Sequence, residues 1–269
     1  MHPIERLRHV ARVSGADPAL VATEAAGALA SMASVDPVGL VPACRRLIER
    51  HVTSGPVWWV CARVLSGADQ SAAARRAAAE LDADRTDRVL AGELPEGAST
   101  TIVGWPDVTG MALRARGDVE ALIVDAGGEG SALARRLRDS GSDCDVVPES
   151  GVGPAATVSD IVILEALMAS PEGVLAAPGS LAAAAVAAQF AVPVWAVVPT
   201  GRALPSALWD AAMGRLDGSG REPWDRQAEV VPPGLITLVV GPEGVSDTGE
   251  GLAATTCPVA PELLRSAGP

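Results

Sequence analysis

The sequence predicts an α/β protein, with an N-terminal helical domain at residues 1–92 and a Rossmann-like parallel-sheet domain at 93–269. Three observations predict it. Apolar residues in the first ninety positions recur only at helical spacing, as in Ile4, Leu7, Val10 and Ala11. Beyond Gly92, short apolar runs alternate with amphipathic stretches. Those runs, such as VEALIVDA and PVWAVVPT, are apolar almost throughout, the pattern of parallel strands covered on both faces.

The elements follow in order. Asp17-Pro18 and Asp36-Pro37 each place a capping carboxylate before a proline at a helix start. The run ALVATEAAGALASMA between them suits a helix, and a third helix runs to about His51. Pro56 opens PVWWVCARVL, which Ser66-Gly67 closes. Asp69 starts one long helix, QSAAARRAAAELDADRTDRVL. STTIVGW is then a strand and Val108–Arg116 a helix. VEALIVDA is a strand and GEGSALARRLRDSG a helix. CDVVPES and DIVILEAL are strands, PGSLAAAAVAAQF a helix, PVWAVVPT a strand, SALWDAAMGRL a helix and GLITLVVG the last strand. Ligands in such sheets sit at the carboxyl ends of the strands. The turns to search are therefore 105–107, 125–130, 149–153, 178–180 and 199–202.

Composition excludes several function classes. The chain has 269 residues and a net charge of −12. It contains no lysine, so Schiff-base chemistry and a phosphate-loop lysine are ruled out. All 21 basic residues are arginine, a bias that fits a GC-rich bacterial genome. Residues 1–91 carry 11 arginines against 10 acids, whereas 92–269 carry 10 against 23. That acidic second half argues against nucleic-acid binding. Cys44, Cys61, Cys144 and Cys257 show no CxxC spacing, and the three histidines lie in the first half, so no metal site is expected. With no signal-peptide pattern and no uninterrupted apolar span, the expectation is a cytoplasmic protein with free thiols and no membrane contact. No cofactor is called for.

The order of these elements, together with three stretches, resembles the initiation factor 2B alpha/beta/delta family. That family includes methylthioribose-1-phosphate isomerase and ribose-1,5-bisphosphate isomerase. The stretches are GVLAAPGSLAAAAVAAQFAVPVWAVVPT, GEGSALARRLRDSGSDCDVVPES and AEVVPPGLITLVVGPEGV. They are similar to the family's Gly-Thr turn and Ala-rich helix, its helix–strand–Asp-Ser segment, and its Phe-Asp-Val-x-Pro stretch. The resemblance implies a homodimer paired through the Rossmann-like domains. It also implies a phosphorylated small molecule, a sugar phosphate or nucleotide, at the strand ends.

The departures from the family pattern bear on chemistry. Pro106 stands where the isomerases carry a cysteine, and Leu167, in Glu165-Ala166-Leu167, where they carry an aspartate. The Asn-Lys before the Gly-Thr becomes Ala176-Ala177, and an arginine-proline turn becomes Gly127-Gly128. Aldose–ketose isomerisation moves a proton between adjacent carbons, which neither proline nor leucine can do. The expectation is therefore a protein without that activity. The alternative is an isomerase with its acid and base moved to Asp107, Glu149 or Glu165.

Each candidate binding residue has two readings. Gly179 and Ser180 precede a helix and can hold a phosphate, or Ser180 is an ordinary N-cap. Glu149 and Ser150 match the family's Asp-Ser and can bond a sugar hydroxyl, or they form a solvated turn. The glycine-rich 126–131 turn reads best as a tight connection. Trp58, Trp59 and Trp195 read as core. LITLVVGPEGVSDTGEGLA is also similar to the GPEG turn of knotted SPOUT-class RNA methyltransferases, over that patch alone.

Overall fold

The computed structural model describes residues 18–265. The expected helix around Ile4–Ala11 and the capping role of Asp17 lie outside the described residues. Helix α1 (Pro18–Val35) begins at its proline. A single 3₁₀ turn at Pro37–Gly39 follows, where Asp36 Oδ1 accepts from Gly39 N at 3.1 Å. Next come α2 (Leu40–Arg50), α3 (Gly55–Ser66) and α4 (Gln70–Asp82), the last capped by Asp69, whose Oδ1 accepts from Ala72 N at 2.9 Å. The long helix expected after Asp69 is broken, and α5 (Thr86–Glu93) starts afresh. The cause is tertiary. Asp84 Oδ1 accepts from Thr200 N and Oγ1, at 3.1 and 2.7 Å, and from Thr86 Oγ1 at 2.9 Å. By length and apolarity α1 alone, among the described helices, could reach across a bilayer. It instead buries Val21, Ala22, Ala25, Ala26 and Leu29 against α3 and α4, as a core helix does.

The remaining elements run β1 (Ser99–Val103), α6 (Asp107–Ala115), β2 (Glu120–Val124), α7 (Gly130–Arg138), β3 (Cys144–Val147), α8 (Val152–Val158) and β4 (Ile161–Glu165). Then follow β5 (Met168–Ser170), β6 (Gly173–Ala176), α9 (Ser180–Gln189), β7 (Val194–Val197), α10 (Ser206–Asp217) and β8 (Glu229–Val231). The chain continues through β9 (Leu238–Gly241), β10 (Gly244–Asp247), α11 (Thr248–Ala253) and α12 (Pro261–Leu264).

The main sheet has seven strands in the order β10-β9-β7-β4-β1-β2-β3. Six are parallel, and β10 pairs antiparallel to β9 at the edge. The parallel strands reverse direction of growth between β1 and β4, the topological switch point of a Rossmann-like sheet. Pro242 and Glu243, read from the GPEG patch as a methyltransferase-like turn, are the hairpin turn joining β9 to β10.

Other features also differ from expectation. Residues 168–176, assigned to no strand or helix in the sequence, form β5 and β6. With β8 these make a small antiparallel sheet. Strands of three or four residues leave little periodicity to read, and β6 finds β8 only across more than fifty residues. Helices α8 and α11 were also not expected. Each has seven residues or fewer, too short for a helical repeat to show.

Three apolar clusters hold the layers together. One face of the main sheet packs on α5, α6 and α7 through Leu90, Ile102, Leu113, Ile123, Leu133 and Leu137. The other packs on α8, α9 and α11 through Val162, Leu164, Ala183, Ala187, Val239 and Leu252. The third joins α1–α4 to α10 and α12, with Trp58 and Trp59 fully enclosed. Trp195 is buried against the first of these clusters, as the sequence reading had it.

Candidate functional site

The strand ends at the switch point are built from residues with little chemistry of their own. Gly104, at φ +72°, leaves β1, and a methyl group there would lie 3.5 Å from Ala177 Cβ and 3.8 Å from Ala126 Cβ. A methyl group at Gly179 would lie 3.6 Å from Val103 Cγ1. Val103, Gly104, Ala126, Ala177 and Gly179 thus converge over the end of β1.

Across this crevice runs a side-chain bridge. Pro106 occupies the N-cap position of α6 and offers no side-chain acceptor. Glu165, at the end of β4, supplies one. Its Oε2 accepts from Thr109 N at 2.8 Å and from Thr109 Oγ1 at 3.0 Å. Its Oε1 pairs with Arg202 Nη2 at 3.1 Å, with side-chain exposures of 6% and 2%. Arg202 Nη1 donates to Ala166 O at 2.5 Å, while its buried Nε has no partner among the described residues. These contacts set the carboxylate between the first turn of α6 and a buried guanidinium. Glu165 therefore fastens α6, β4 and the turn after β7 to one another.

Three further backbone donors at the strand ends meet the chain's own carboxylates. Gly179 enters α9 in the left-handed conformation, φ +92°, and Ser180 is buried. Leu181 N, in the first turn, donates to Glu229 Oε1 at 2.7 Å, because the β6–β8 pairing sets Glu229 opposite Ala176. Gly130 N, at the start of α7, donates to Asp125 Oδ1 at 2.6 Å, and Gly127 N to Glu149 Oε1 at 3.1 Å. Glu149 and Ser150 are exposed on a 3₁₀ turn after β3. Asp107 Oδ1 accepts from Trp105 Nε1 at 3.1 Å.

Of the residues picked out in the sequence, Gly179 and Ser180 thus sit together at the crevice, and Glu165 spans it. Glu149 lies on the neighbouring turn. Sequence reasoning missed Thr109 and Glu229, and it gave Arg202 no role although the 199–202 turn had been picked out. Glu229 lay inside the AEVVPP stretch already noted.

No thiol lines the crevice. Cys44, Cys61 and Cys257 are buried in the cluster of α1–α4, and Cys144 starts β3 at the opposite end of the strands. A hydrogen bond with Cys44, together with burial, pushes the Cys61 thiol well up. Burial pushes Cys257 up to about 12, and raises Cys144. The native protein should resist iodoacetamide at pH 8 at all four cysteines and react fully once unfolded, as intact mass spectrometry would read.

No family model matches the sequence, and no curated protein matches it. Solved structures do. The translation initiation factor eIF-2B of Pyrococcus horikoshii OT3 superposes with a TM-score of 0.75 at 15% identity, covering 93% of this chain and 98% of that one. The chain has the eIF-2B fold. 5-Methylthioribose 1-phosphate isomerase from P. horikoshii gives 0.65 at 16% identity, covering 93% and 86%. The tetrameric eIF2B-beta2-delta2 complex from C. thermophilum gives 0.68 at 13%, covering 92% and 91%. Within the eIF-2B fold, this chain places Pro106 at the cap of α6. It places Leu167 at the seam with the helical layer, where Leu167 O accepts from Gly55 N at 2.9 Å.

Proposed function

We propose that the chain is a non-catalytic or functionally altered protein of the eIF-2B and sugar-phosphate isomerase fold, acting as a binding and assembly component. The observation that carries this is the Thr109–Glu165–Arg202 bridge. The carboxylate nearest the switch point is committed to structure, and apolar side chains stand where proton transfer would need an acid and a base. Binding of a phosphorylated sugar at Gly179 and Ser180 would require Glu229 to give up Leu181 N. That makes the crevice a weak anion site.

Self-association of two copies through the Rossmann-like domain is supported by α9. The helix carries no charged residue, and it leaves Leu181, Ala182, Ala185 and Ala188 exposed, with Phe190 just beyond. The alternative, an isomerase with its acid and base on Asp107, Glu149 or Glu165, draws support only from the nearness of those carboxylates to the strand ends.

The test is turnover of methylthioribose 1-phosphate and ribose 1,5-bisphosphate, with sedimentation alongside. No conversion above background and a dimer are expected. Conversion that disappears in Glu165→Gln would overturn the reading in favour of the relocated site.

A further inference from the structure

Away from the strand-end crevice, α6 and α7 leave an open groove on the outer surface of the sheet's first face. Its volume is about 320 Å³, within the ~300–1,000 Å³ usual for small-molecule sites. Trp105 forms one end. Arg114 from α6 and Arg135 and Arg136 from α7 line the sides, with Asp139 and Ser140 beyond. A narrow extension carries Arg114 and Arg136 on towards Asp107 and Leu133.

Three points separate this groove from an ordinary solvated helix face. The first is charge. Residues 92–269 hold ten arginines against 23 acids, yet three of those ten line one groove. The second is partners. Arginines in a last helical turn commonly serve the terminal carbonyls and the helix dipole. Arg138 is instead tied to the neighbouring strand, donating to Cys144 O of β3 at 2.7 Å and pairing with Asp145. Arg114, Arg135 and Arg136 make no side-chain hydrogen bond or ion pair among the described residues, not even with Asp139. The third is the indole. The hydrogen bond from Trp105 Nε1 to Asp107 fixes its ring at the groove wall.

We propose that this groove binds a small phosphate monoester carrying a flat ring, of the nucleoside monophosphate class. Planar guanidinium groups from two helices converge on the phosphate, where bidentate hydrogen bonds are strong and geometrically selective. The half-buried Trp105 offers a face for the ring to stack on. The site is independent of the strand-end crevice, whose backbone donors face carboxylates.

Calorimetric titration of the full protein with AMP, ribose 5-phosphate and adenosine tests this. AMP should bind, and each half-molecule should bind at least tenfold more weakly. The double variant Arg114→Ala/Arg136→Ala should weaken AMP on the order of a hundredfold, taking roughly tenfold for each charge-assisted contact. Trp105→Leu should weaken AMP while leaving ribose 5-phosphate unchanged. Arg114 and Arg136 are exposed, so the double variant folds; circular dichroism and urea unfolding check that Trp105→Leu, at a half-buried position, is folded before it is titrated. AMP affinity indifferent to the arginine substitutions would overturn the proposal. So would affinity that responds only to Glu229→Gln, which would put the ligand at the strand ends. Loss of a dimer in the double variant, with no AMP bound by the parent, would reassign the groove to contact between copies.

Discussion

Arg202→Met should destabilise the protein by about 3–5 kcal/mol, the range for removing one partner of a buried ion pair. The cost arises chiefly from what stays behind. Glu165 would remain almost fully enclosed, with Thr109 still donating to it and no cation to balance it. The double variant Glu165→Gln/Arg202→Met should recover a substantial part of the loss, because the stranded charge is gone and Gln can still accept from Thr109. Arg202 Nε has no partner among the described residues, so the native pair carries uncompensated desolvation, which favours recovery further. Urea unfolding of the parent, both single variants and the double variant closes the cycle. An Arg202→Met loss below about 1 kcal/mol would contradict a bridge that fastens the crevice.

Trp59→Ala should cost about 3–5 kcal/mol, as large aromatic truncations in packed cores do. Trp59 is 1% exposed, and its ring meets the turn after β7. A methyl group at Gly201 would lie 3.5 Å from Trp59 Cδ2. Its Nε1 donates to Thr256 Oγ1 at 3.2 Å, and the Arg63 guanidinium lies 4.8 Å from the ring centroid. Truncation therefore opens a cavity at the seam between the helical layer and the sheet and also leaves Thr256 short of a donor. Trp224→Ala is the matched control. At 80% exposure it should stay within about 0.5 kcal/mol of the parent in the same urea series. Equal losses at the two positions would mean that Trp59 does not anchor the seam.

What the sequence disclosed, and what it withheld, follows the range of the interactions involved. Asp69 and Pro56 mark their helices because capping and proline geometry act within four residues. The parallel strands were readable because burial on both faces forces continuous apolar runs. The break at Asp84 depends on Thr200, 116 positions away, and nothing nearby announces it. Glu229 is equally silent: its role comes from β8 docking beside β6, a pairing that exists only in the assembled molecule. At the crevice, departures at Pro106 and Leu167 were legible as missing chemistry. The bridge that replaces it was not, since Thr109, Glu165 and Arg202 come from a helix, a strand end and a turn that meet only in the folded chain.

The last segment of the chain closes the first part of it. Cys257, Ala260 and Leu263 are buried in the same cluster as Ala43, Cys44 and Leu47, and Arg45 Nε donates to Glu262 O at 2.8 Å. During vectorial synthesis the leading helices thus emerge from the ribosome with one wall of their core still untranslated. They must wait, partly uncovered, until residues 257–263 clear the exit tunnel. A stop codon placed just after residue 250 would therefore be felt in α2. It would spare most strands of the main sheet and expose the helical layer to quality-control proteases.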